Sequence, residues 1–164
     1  MATATASWKR LGTARTDARG NVSFALPSGP SREVRLVFQK TEDLAEAASS
    51  GLDIHVTASS SIRANRTRLR NGQKVTLRGM LGGGYVPATG RELELQGYNP
   101  AKHKWQPVVT SGPRSDAVGR WKASYRFTAT RGTVIYKFRL RIVARLDHPF
   151  ATGYSKAVAV TVRG

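Results

Sequence analysis

The clearest structural signal in the chain is the segment Gly119-Arg-Trp-Lys-Ala-Ser-Tyr-Arg-Phe127. Apolar or small side chains fill every second position, and basic or polar side chains fill the positions between them. Successive side chains of a strand point to opposite faces, so the pattern predicts a strand with one buried face and one wet face. We expect Trp121 and Phe127 in a core, and Arg120 and Lys122 at the surface.

The same two-residue period recurs along the chain, whereas a helical period is almost absent. Further examples are Lys74-Val-Thr-Leu-Arg78, Arg91-Glu-Leu-Glu-Leu95, Tyr136-Lys-Phe-Arg-Leu-Arg-Ile142 and Ala157-Val-Ala-Val-Thr-Val162. Turn-forming glycine and proline residues separate these segments. The sequence therefore predicts an all-β protein of half-buried antiparallel strands, with one short helical turn within residues 41–49.

The chain also repeats itself. Trp8 and Trp105 each precede a Thr/Ser-Asp-x-x-Gly turn, and the turns end at Gly20 and Gly119. Farther along, Val34-Arg-Leu-Val-Phe38 corresponds to Phe138-Arg-Leu-Arg-Ile142, and Leu52-Asp-Ile-His-Val-Thr57 corresponds to Ala157-Val-Ala-Val-Thr-Val162. Self-similarity at a nearly fixed spacing indicates two copies of one structural unit.

The two copies differ in completeness. Residues 58–164 contain seven predicted strands, near 61–69, 73–81, 91–98, 104–110, 119–127, 134–143 and 154–163. About seven short strands in ~100 residues is typical of an antiparallel immunoglobulin-like (Ig-like) β-sandwich. Residues 1–57 match only the last four strands, so we expect the C-terminal half of a similar unit. Such a half leaves an open edge and an exposed core face, which an upstream segment or an adjoining chain is expected to complete.

These motifs resemble the tandem β-sandwich repeats of secreted actinobacterial proteins, in the broad group of bacterial Ig-like and carboxypeptidase-regulatory-like domains. The resemblance lies in Asn71-Gly-Gln-Lys-Val-Thr-Leu-Arg-Gly79, in Ser115-Asp-Ala-Val-Gly-Arg-Trp121 with Thr16-Asp-Ala-Arg-Gly20, and in Ala151-Thr-Gly-Tyr-Ser155. It implies an extracellular or cell-surface protein that acts as a structural or adhesive module beside neighbouring domains of the same polypeptide. A fold alone does not fix a function.

No motif for catalysis, a cofactor or a metal stands out. The chain has no cysteine, and His55, His103 and His148 lack the spacing of metal ligands. Asp116 or Asp147 could join a histidine and a serine in a triad, but no Gly-x-Ser-x-Gly elbow is present. The Asp-x-x-Gly turns offer one carboxylate each, which suits a structural turn better than a calcium loop. Residues 82–90 are glycine-rich but lack the ending of a phosphate-binding loop. We therefore expect no enzyme activity and no cofactor.

No segment of the sequence approaches the ~18 consecutive apolar residues that a membrane-spanning helix needs.

The charge of the chain is its most unusual property, with 27 basic residues against 10 acidic and a formal net charge of +17. Such a charge attracts polyanions in general. An arginine-rich composition inherited from a high-GC genome is the alternative explanation. Ig-like pairing would place the first, second and fifth strands of residues 58–164 in one sheet, and the third, sixth and seventh in the other.

That pairing predicts one basic sheet face without acidic residues. Its outward side chains are Lys74, Arg78, Arg120, Lys122 and Arg126, joined by Arg63, Arg66, Arg68 and Arg70 of the first strand. On the other sheet we expect Glu92 and Glu94 to form ion pairs with Lys137, Arg139 and Arg141. The half repeat lacks the basic pattern, because Asn21, Ser23 and Ala25 fill the matching positions.

Two ligand classes follow from the basic face. The first is an anionic polysaccharide or other envelope polymer, and the alternative is nucleic acid bound through its phosphates without base readout. The aromatic side chains Trp121, Tyr125, Phe127, Tyr136 and Phe138 are expected in the core, away from the arginines. A second candidate surface is the loop 147–155, where Phe150 and Tyr154 either hold a sugar ring or plug the end of the sandwich.

Overall fold

The computed structural model describes residues 7–108 and 110–164, and their regular structure consists of β-strands alone. The predicted all-β class is confirmed. No helix in the described residues has the length and apolar character to cross a membrane. The helical turn expected within 41–49 is wrong, because Ala47–Ala48 forms a strand that pairs with Val37–Phe38. A helix this short has little stability of its own, so strand pairing prevails.

The N-terminal part contains a bent antiparallel hairpin. Its four short strands are β1 (Arg32–Val34), β2 (Val37–Phe38), β3 (Ala47–Ala48) and β4 (Leu52–Ile54). Strand β1 pairs with β4, and β2 pairs with β3. Residues 7–31 form no strand, so the two strands predicted there are wrong. Isolated extended segments are unstable because their backbone groups lack partners, and no described strand lies beside this stretch.

The described residues within 58–164 form nine strands. They are β5 (Arg63–Ala64), β6 (Arg68–Arg70), β7 (Lys74–Met80), β8 (Glu94–Asn99), β9 (Lys104–Pro107), β10 (Arg120–Arg126), β11 (Thr133–Ile142), β12 (Gly153–Tyr154) and β13 (Val158–Arg163). The strand predicted at 104–110 ends at Pro107, and Val109 lies outside the described residues. Residues 1–6 of the predicted half repeat also lie outside them.

Two sheets share the strands of residues 58–164. One has the order β10-β7-β5, and the other has the order β6-β13-β11-β8-β9 with β12 beside β11. The second and fifth predicted strands thus share one sheet, and the third, sixth and seventh share the other, as expected. The first predicted strand divides between the two sheets: β5 pairs with β7, whereas β6 pairs in parallel with β13.

The core lies between these two sheets. Val75 and Leu77 of β7 belong to the same core cluster as Leu140 of β11 and Val160 of β13, and all four are fully buried. The aromatic prediction is confirmed, since Trp121, Phe127 and Phe138 are buried and Tyr125 and Tyr136 pack against them. Burying one such side chain contributes about 1.5–3 kcal/mol. By contrast, no residue from 7 to 57 is buried.

A loop of the C-terminal part holds the hairpin in place through the backbone. The amide of Ala151 donates to the Val56 carbonyl at 2.9 Å, and the amide of Ala58 donates to the Ala151 carbonyl at 2.9 Å. The amide of Ser31 donates to the Pro149 carbonyl at 2.7 Å. The two parts of the chain are therefore joined by a short seam of main-chain hydrogen bonds.

The same turn closes residues 17–20 and 116–119. In each turn the glycine amide donates to the aspartate carbonyl at 3.0 Å, and the aspartate Oδ1 accepts two further backbone N–H groups. Gly20 and Gly119 both have positive φ, 82° and 85°, which glycine adopts without strain. The sequence correctly marked both turns.

The same bulge interrupts the two hairpins. In the N-terminal hairpin Ser49 Oγ accepts the Leu36 amide at 3.0 Å and donates to the next carbonyl at 2.9 Å. In the C-terminal sheet Ser155 Oγ accepts the Leu140 amide at 2.9 Å and donates to the next carbonyl at 2.7 Å. Each serine also donates its own amide to the same leucine, at 2.9 Å. Leu36 and Leu140 therefore occupy equivalent positions, and so do Ser49 and Ser155.

Candidate anion-binding surface

The outer surface of the three-stranded sheet carries a cluster of basic side chains, here called the basic face. Its members are all exposed: Arg63, Lys74, Arg78, Arg120, Lys122 and Arg126. The strand register aligns them in rows across the sheet. Arg78 lies opposite Lys122 on one side and opposite Arg63 on the other, and Lys74 lies opposite Arg126. The five residues predicted from alternation are thus brought together.

No acidic side chain of the described residues forms an ion pair with the basic face. The ion pairs among the described residues involve other arginines: Arg91, Arg114, Arg141 and Arg145. The carboxylate of Asp116 lies at the end of the sheet, where its Oδ1 accepts the amides of Val118 and Arg120. Directly opposed like charges destabilise a sheet by roughly 0.2–1 kcal/mol per pair. The face is therefore a concentrated positive field that an anionic ligand would relieve.

A shallow groove of about 750 Å³ runs across one end of the basic face. Its lining includes the basic residues Arg63, Arg78 and Arg120, together with the acidic residue Asp116. Trp121 also lines the groove but is only 3% exposed, and its Nε1 donates to Ser60 Oγ at 2.9 Å. The groove can hold an anionic group, but its aromatic ring is not free to stack on a base or a sugar.

Two predicted members of the basic face belong elsewhere. Arg68 and Arg70 lie on β6, which pairs with β13 in the larger sheet, so their assignment to the basic face is wrong. The chain passes from one sheet to the other between β5 and β6, and this crossing carries no signal in the alternation pattern. Arg66 lies within that crossing and is exposed.

The outer face of the larger sheet is partly neutralised. Glu94 lies opposite Arg141 and pairs with it at 3.1 Å, as predicted. Glu92 precedes β8 and instead contacts Arg114 and Arg145, at 3.7 and 3.4 Å. The ion pairs predicted for Lys137 and Arg139 are not formed with any described residue.

Arg139 has a different environment, which the sequence did not reveal. Its Nε donates to Gln96 Oε1 at 2.7 Å, because the register places these residues opposite each other. The guanidinium carbon lies 4.4 Å from the Trp105 ring centroid and 4.1 Å from that of Tyr154. Cation–π contacts of this kind contribute about 0.5–1 kcal/mol at exposed sites. The larger sheet thus carries a stacked surface rather than a row of free cations.

The two aromatic residues of the loop 147–155, Phe150 and Tyr154, have different environments. Phe150 is only 4% exposed and packs against the His148 ring with centroids 4.9 Å apart, so it plugs the end of the fold. Tyr154 is 45% exposed, but one side of its ring lies against Arg139. The two aromatic rings therefore do not form a common sugar-binding surface.

A buried basic cluster lies beside this loop. Arg91 is 2% exposed, and its guanidinium pairs with Asp147 at 2.6 Å and donates to the Val143 carbonyl. His148 is also buried, and neither ring nitrogen has a hydrogen-bond partner. Burial lowers the pKa of His148, the charge of Arg91 lowers it further, and the charge of Asp147 opposes the shift. Since Asp147 binds Arg91 and not the imidazole, this pair lacks the hydrogen bond that orients the base in a catalytic triad.

The other candidate ligands lie apart. No three His, Asp or Glu side chains in the described residues come close enough to hold a metal ion. Asp17 lies in its turn, where hydrogen bonds from the Asn21 amide first, and then from the Asn21 side chain and the Arg19 amide, lower its pKa. His55 follows β4 in a loop, and His103 lies in a turn with a φ of 49°.

The positive charge is confined to one part of the chain. Residues 58–164 hold 20 basic and 4 acidic residues, a net charge of +16, whereas residues 1–57 hold 7 basic and 6 acidic, a net charge of +1. At the turn-matched positions the N-terminal part has neutral exposed side chains, Asn21 and Ala25 among them. A composition bias would act on both parts equally, so this difference favours a local role for the charge. No protein-family model matches the chain, and a search of curated proteins also finds no match.

Proposed function

We propose that the protein is a non-catalytic structural or adhesive module of the cell surface that binds an anionic envelope polymer through its basic face. The observation that carries the proposal is the row Arg63, Arg78 and Lys122, which runs across three strands without an acidic partner in the described residues. We further propose that residues 58–164 are a complete Ig-like repeat and residues 1–57 the C-terminal half of another.

Two matched features support the repeat relation. The Asp17 and Asp116 turns have the same hydrogen bonds, and the Ser49 and Ser155 bulges have the same hydrogen bonds. The pairing of strands within residues 58–164 is also the pairing expected for an Ig-like sandwich. Tandem modules of this kind act through their surfaces, since their cores are filled by side chains.

The spacing of the basic face suits a polymer with repeated anionic groups. Neighbouring strands lie about 4.8 Å apart, and alternate residues along one strand lie about 6.8 Å apart. The rows through Arg78 and through Lys74 are therefore separated by about 14 Å along β7, twice that alternate spacing. A flexible polyphosphate or uronic acid chain can contact both rows and release their counterions.

Nucleic acid is the second candidate ligand. The arginine side chains of the basic face favour it, because a guanidinium group binds phosphate oxygens well. The buried Trp121 leaves no exposed ring on this face for base stacking. Binding of this kind would be independent of sequence and would weaken steeply with salt.

A binding series across salt concentrations tests the proposal. The ligands are poly(glycerol phosphate), polygalacturonate, duplex DNA and neutral dextran. We expect both envelope-type polyanions to bind at low salt, Arg78→Glu and Lys122→Glu to weaken them, and dextran not to bind. Lys137→Glu is the matched control, because Lys137 is exposed on the other sheet and forms no described ion pair. Binding of DNA alone would favour the second candidate, and binding of no polyanion would leave only a spacer role.

A further inference from the structure

The acidic side chains of residues 58–164 gather at one end of the two packed sheets. They are Glu92, Glu94, Asp116 and Asp147. Glu94 lies opposite Arg141, near the end of β11, and the loop after β11 carries Asp147 and the seam to the N-terminal part. Asp116 comes to the same end, because Glu92 forms a backbone bridge with Arg114, two residues before it. The carboxylates therefore neutralise arginines at this end alone.

The opposite end of the same two sheets carries basic side chains, and we call it the basic end. Strand β6 ends there and β7 begins there, while β10 and β13 both end there. Thr130 exchanges two hydrogen bonds with the Asn71 side chain, at 2.7 and 3.1 Å, so residue 131 also lies there. No acidic side chain of the described residues pairs with a member of this end. The members are all exposed: Arg70, Lys74, Arg126, Arg131 and Arg163.

Four members of the basic end form two cross-strand pairs that point to opposite sides of the packed sheets. Lys74 lies opposite Arg126 in the smaller sheet, where this pair is also the last row of the basic face. Arg70 lies opposite Arg163 in the larger sheet. Each of the four has a buried neighbour along its strand, so alternation directs its own side chain outward. Packed sheets lie about 10 Å apart, and this thickness separates the two pairs.

The turn at residues 71–73 joins the two pairs around the edge of the sheets. On one side the Asn71 amide donates to the Arg163 carbonyl at 3.0 Å. On the other side the guanidinium of Arg126 donates to the Gly72 carbonyl at 2.6 Å. That bond uses one of the five N–H groups of the guanidinium, so others are free for a ligand. The uncompensated charge of the basic face thus continues past this turn to the larger sheet.

We propose that the polyanion held by the basic face bends around the turn 71–73 onto Arg70 and Arg163, so that the protein binds flexible anionic chains in preference to rigid ones. This inference rests on the function proposed above and names the kind of polymer that fits it. A ligand that contacts both pairs must reverse its direction across the thickness of the two sheets. Duplex DNA, with a persistence length of about 50 nm, cannot bend so sharply. A poly(glycerol phosphate) chain can, because its backbone consists of single bonds.

The experiment counts phosphate contacts from the salt dependence of binding. The full chain is titrated with fluorescent poly(glycerol phosphate), single-stranded oligothymidylate and duplex DNA at several NaCl concentrations. The last two probes share the same phosphodiester charge and differ in stiffness. The logarithm of the binding constant falls linearly with the logarithm of the salt concentration, by about 0.7 for each phosphate contact on a single strand.

The test variant is Arg70→Gln combined with Arg163→Gln. It should reduce the steepness of the salt dependence by roughly 1–1.5 for both flexible chains and leave that of duplex DNA unchanged. The matched control is Lys102→Gln combined with Lys137→Gln, which removes two exposed charges of the larger sheet and its β8–β9 turn away from the basic end. It should change none of the three slopes. All four side chains are exposed and form no described ion pair, and circular dichroism checks the fold.

Three results would overturn the inference. They are unchanged slopes for the flexible chains in the test variant, an equal reduction in the control variant, and an equal reduction for duplex DNA. Lys122→Glu separates this inference from the proposed function. If Lys122→Glu weakens binding and the test variant does not, the basic face stands without the bend. If Lys122→Glu has no effect on binding, the basic face itself fails, and the bend fails with it.

Discussion

Lys122 lies directly opposite Arg78 in the three-stranded sheet, and Arg63 lies opposite Arg78 on its other side. Cross-strand neighbours of this kind have side chains within about 5 Å at Cβ. Three cations in a row work against the stability of the sheet that carries them. Such an arrangement is typical of a surface that serves a ligand rather than the fold.

Lys122→Glu should therefore raise the free energy of unfolding, by roughly 0.2–1 kcal/mol, because it replaces a repulsive pair with an attractive one. The same substitution should weaken polyanion binding. Urea denaturation at low and high salt measures the first effect, and the gain should shrink as salt screens the pair. A loss of stability at low salt would contradict this account of the basic face.

The two serine bulges permit a comparison of one hydrogen bond in two environments. Ser155 is buried and Ser49 is exposed, although each accepts a leucine amide at about the same distance. Ser155→Ala leaves the buried Leu140 amide without a side-chain partner and should cost about 1–3 kcal/mol. Ser49→Ala should cost much less, since water can reach the Leu36 amide. Equal losses in chemical denaturation would show that burial does not set the difference.

The stability of the protein should depend on the protonation of His148. Burial holds the folded-state pKa of His148 below its ordinary value of 6.5, with Arg91 adding to the shift and Asp147 opposing it. Below pH 6.5 the unfolded chain therefore binds a proton that the folded chain does not. The free energy of unfolding should fall as the pH drops from 6.5 towards 5, by at most about 1.4 kcal/mol per pH unit.

His148→Leu should flatten this dependence, whereas His55→Gln, at an exposed loop residue, should not. Urea midpoints at several pH values between 5 and 7.5 provide the measurement. An unchanged slope in His148→Leu would assign the pH dependence to another group.

Gly153 should tolerate no side chain. A Cβ atom there would collide with the carbonyl of Ala58, a backbone atom that the seam to Ala151 holds in place. Gly153→Ala should therefore shift strand β12 and weaken the seam. Gly132→Ala is the control, because its φ of 66° costs about 1 kcal/mol but its Cβ meets no other atom. Hydrogen exchange of the Ala58 and Ala151 amides should increase in Gly153→Ala only.

Alternation predicted the strands that have one wet face. Strands β7, β10 and β11 begin and end within one residue of the predicted ranges, because each is paired along its length and packs one side on the core. The turn residues Asp17 and Asp116 were also predictable, since an aspartate and a glycine at this spacing have few other uses. The basic face followed from the same alternation.

Other features of the fold depend on pairing between strands that lie far apart in the sequence, which a local residue pattern does not predict. The strand predicted near 61–69 divides between two sheets, because β6 pairs with β13, about ninety residues later in the chain. The strands predicted at the start of the chain need neighbours that no described residue supplies. Arg139 on β11 contacts Trp105 on β9 and Tyr154 on β12, and only the pairing of β9 with β8, of β8 with β11 and of β12 with β11 brings the two rings to it.

The parallel pairing of β6 with β13 has a mechanical consequence. These strands lie near the beginning and the end of residues 58–164, with Leu69 opposite Val162. A tensile force that pulls the two ends apart acts along both strands in opposite directions. It loads the hydrogen bonds between them together, in shear, instead of peeling them open one at a time. A chain tethered at both ends would thus resist stretching at the point where the first predicted strand of residues 58–164 changes sheets.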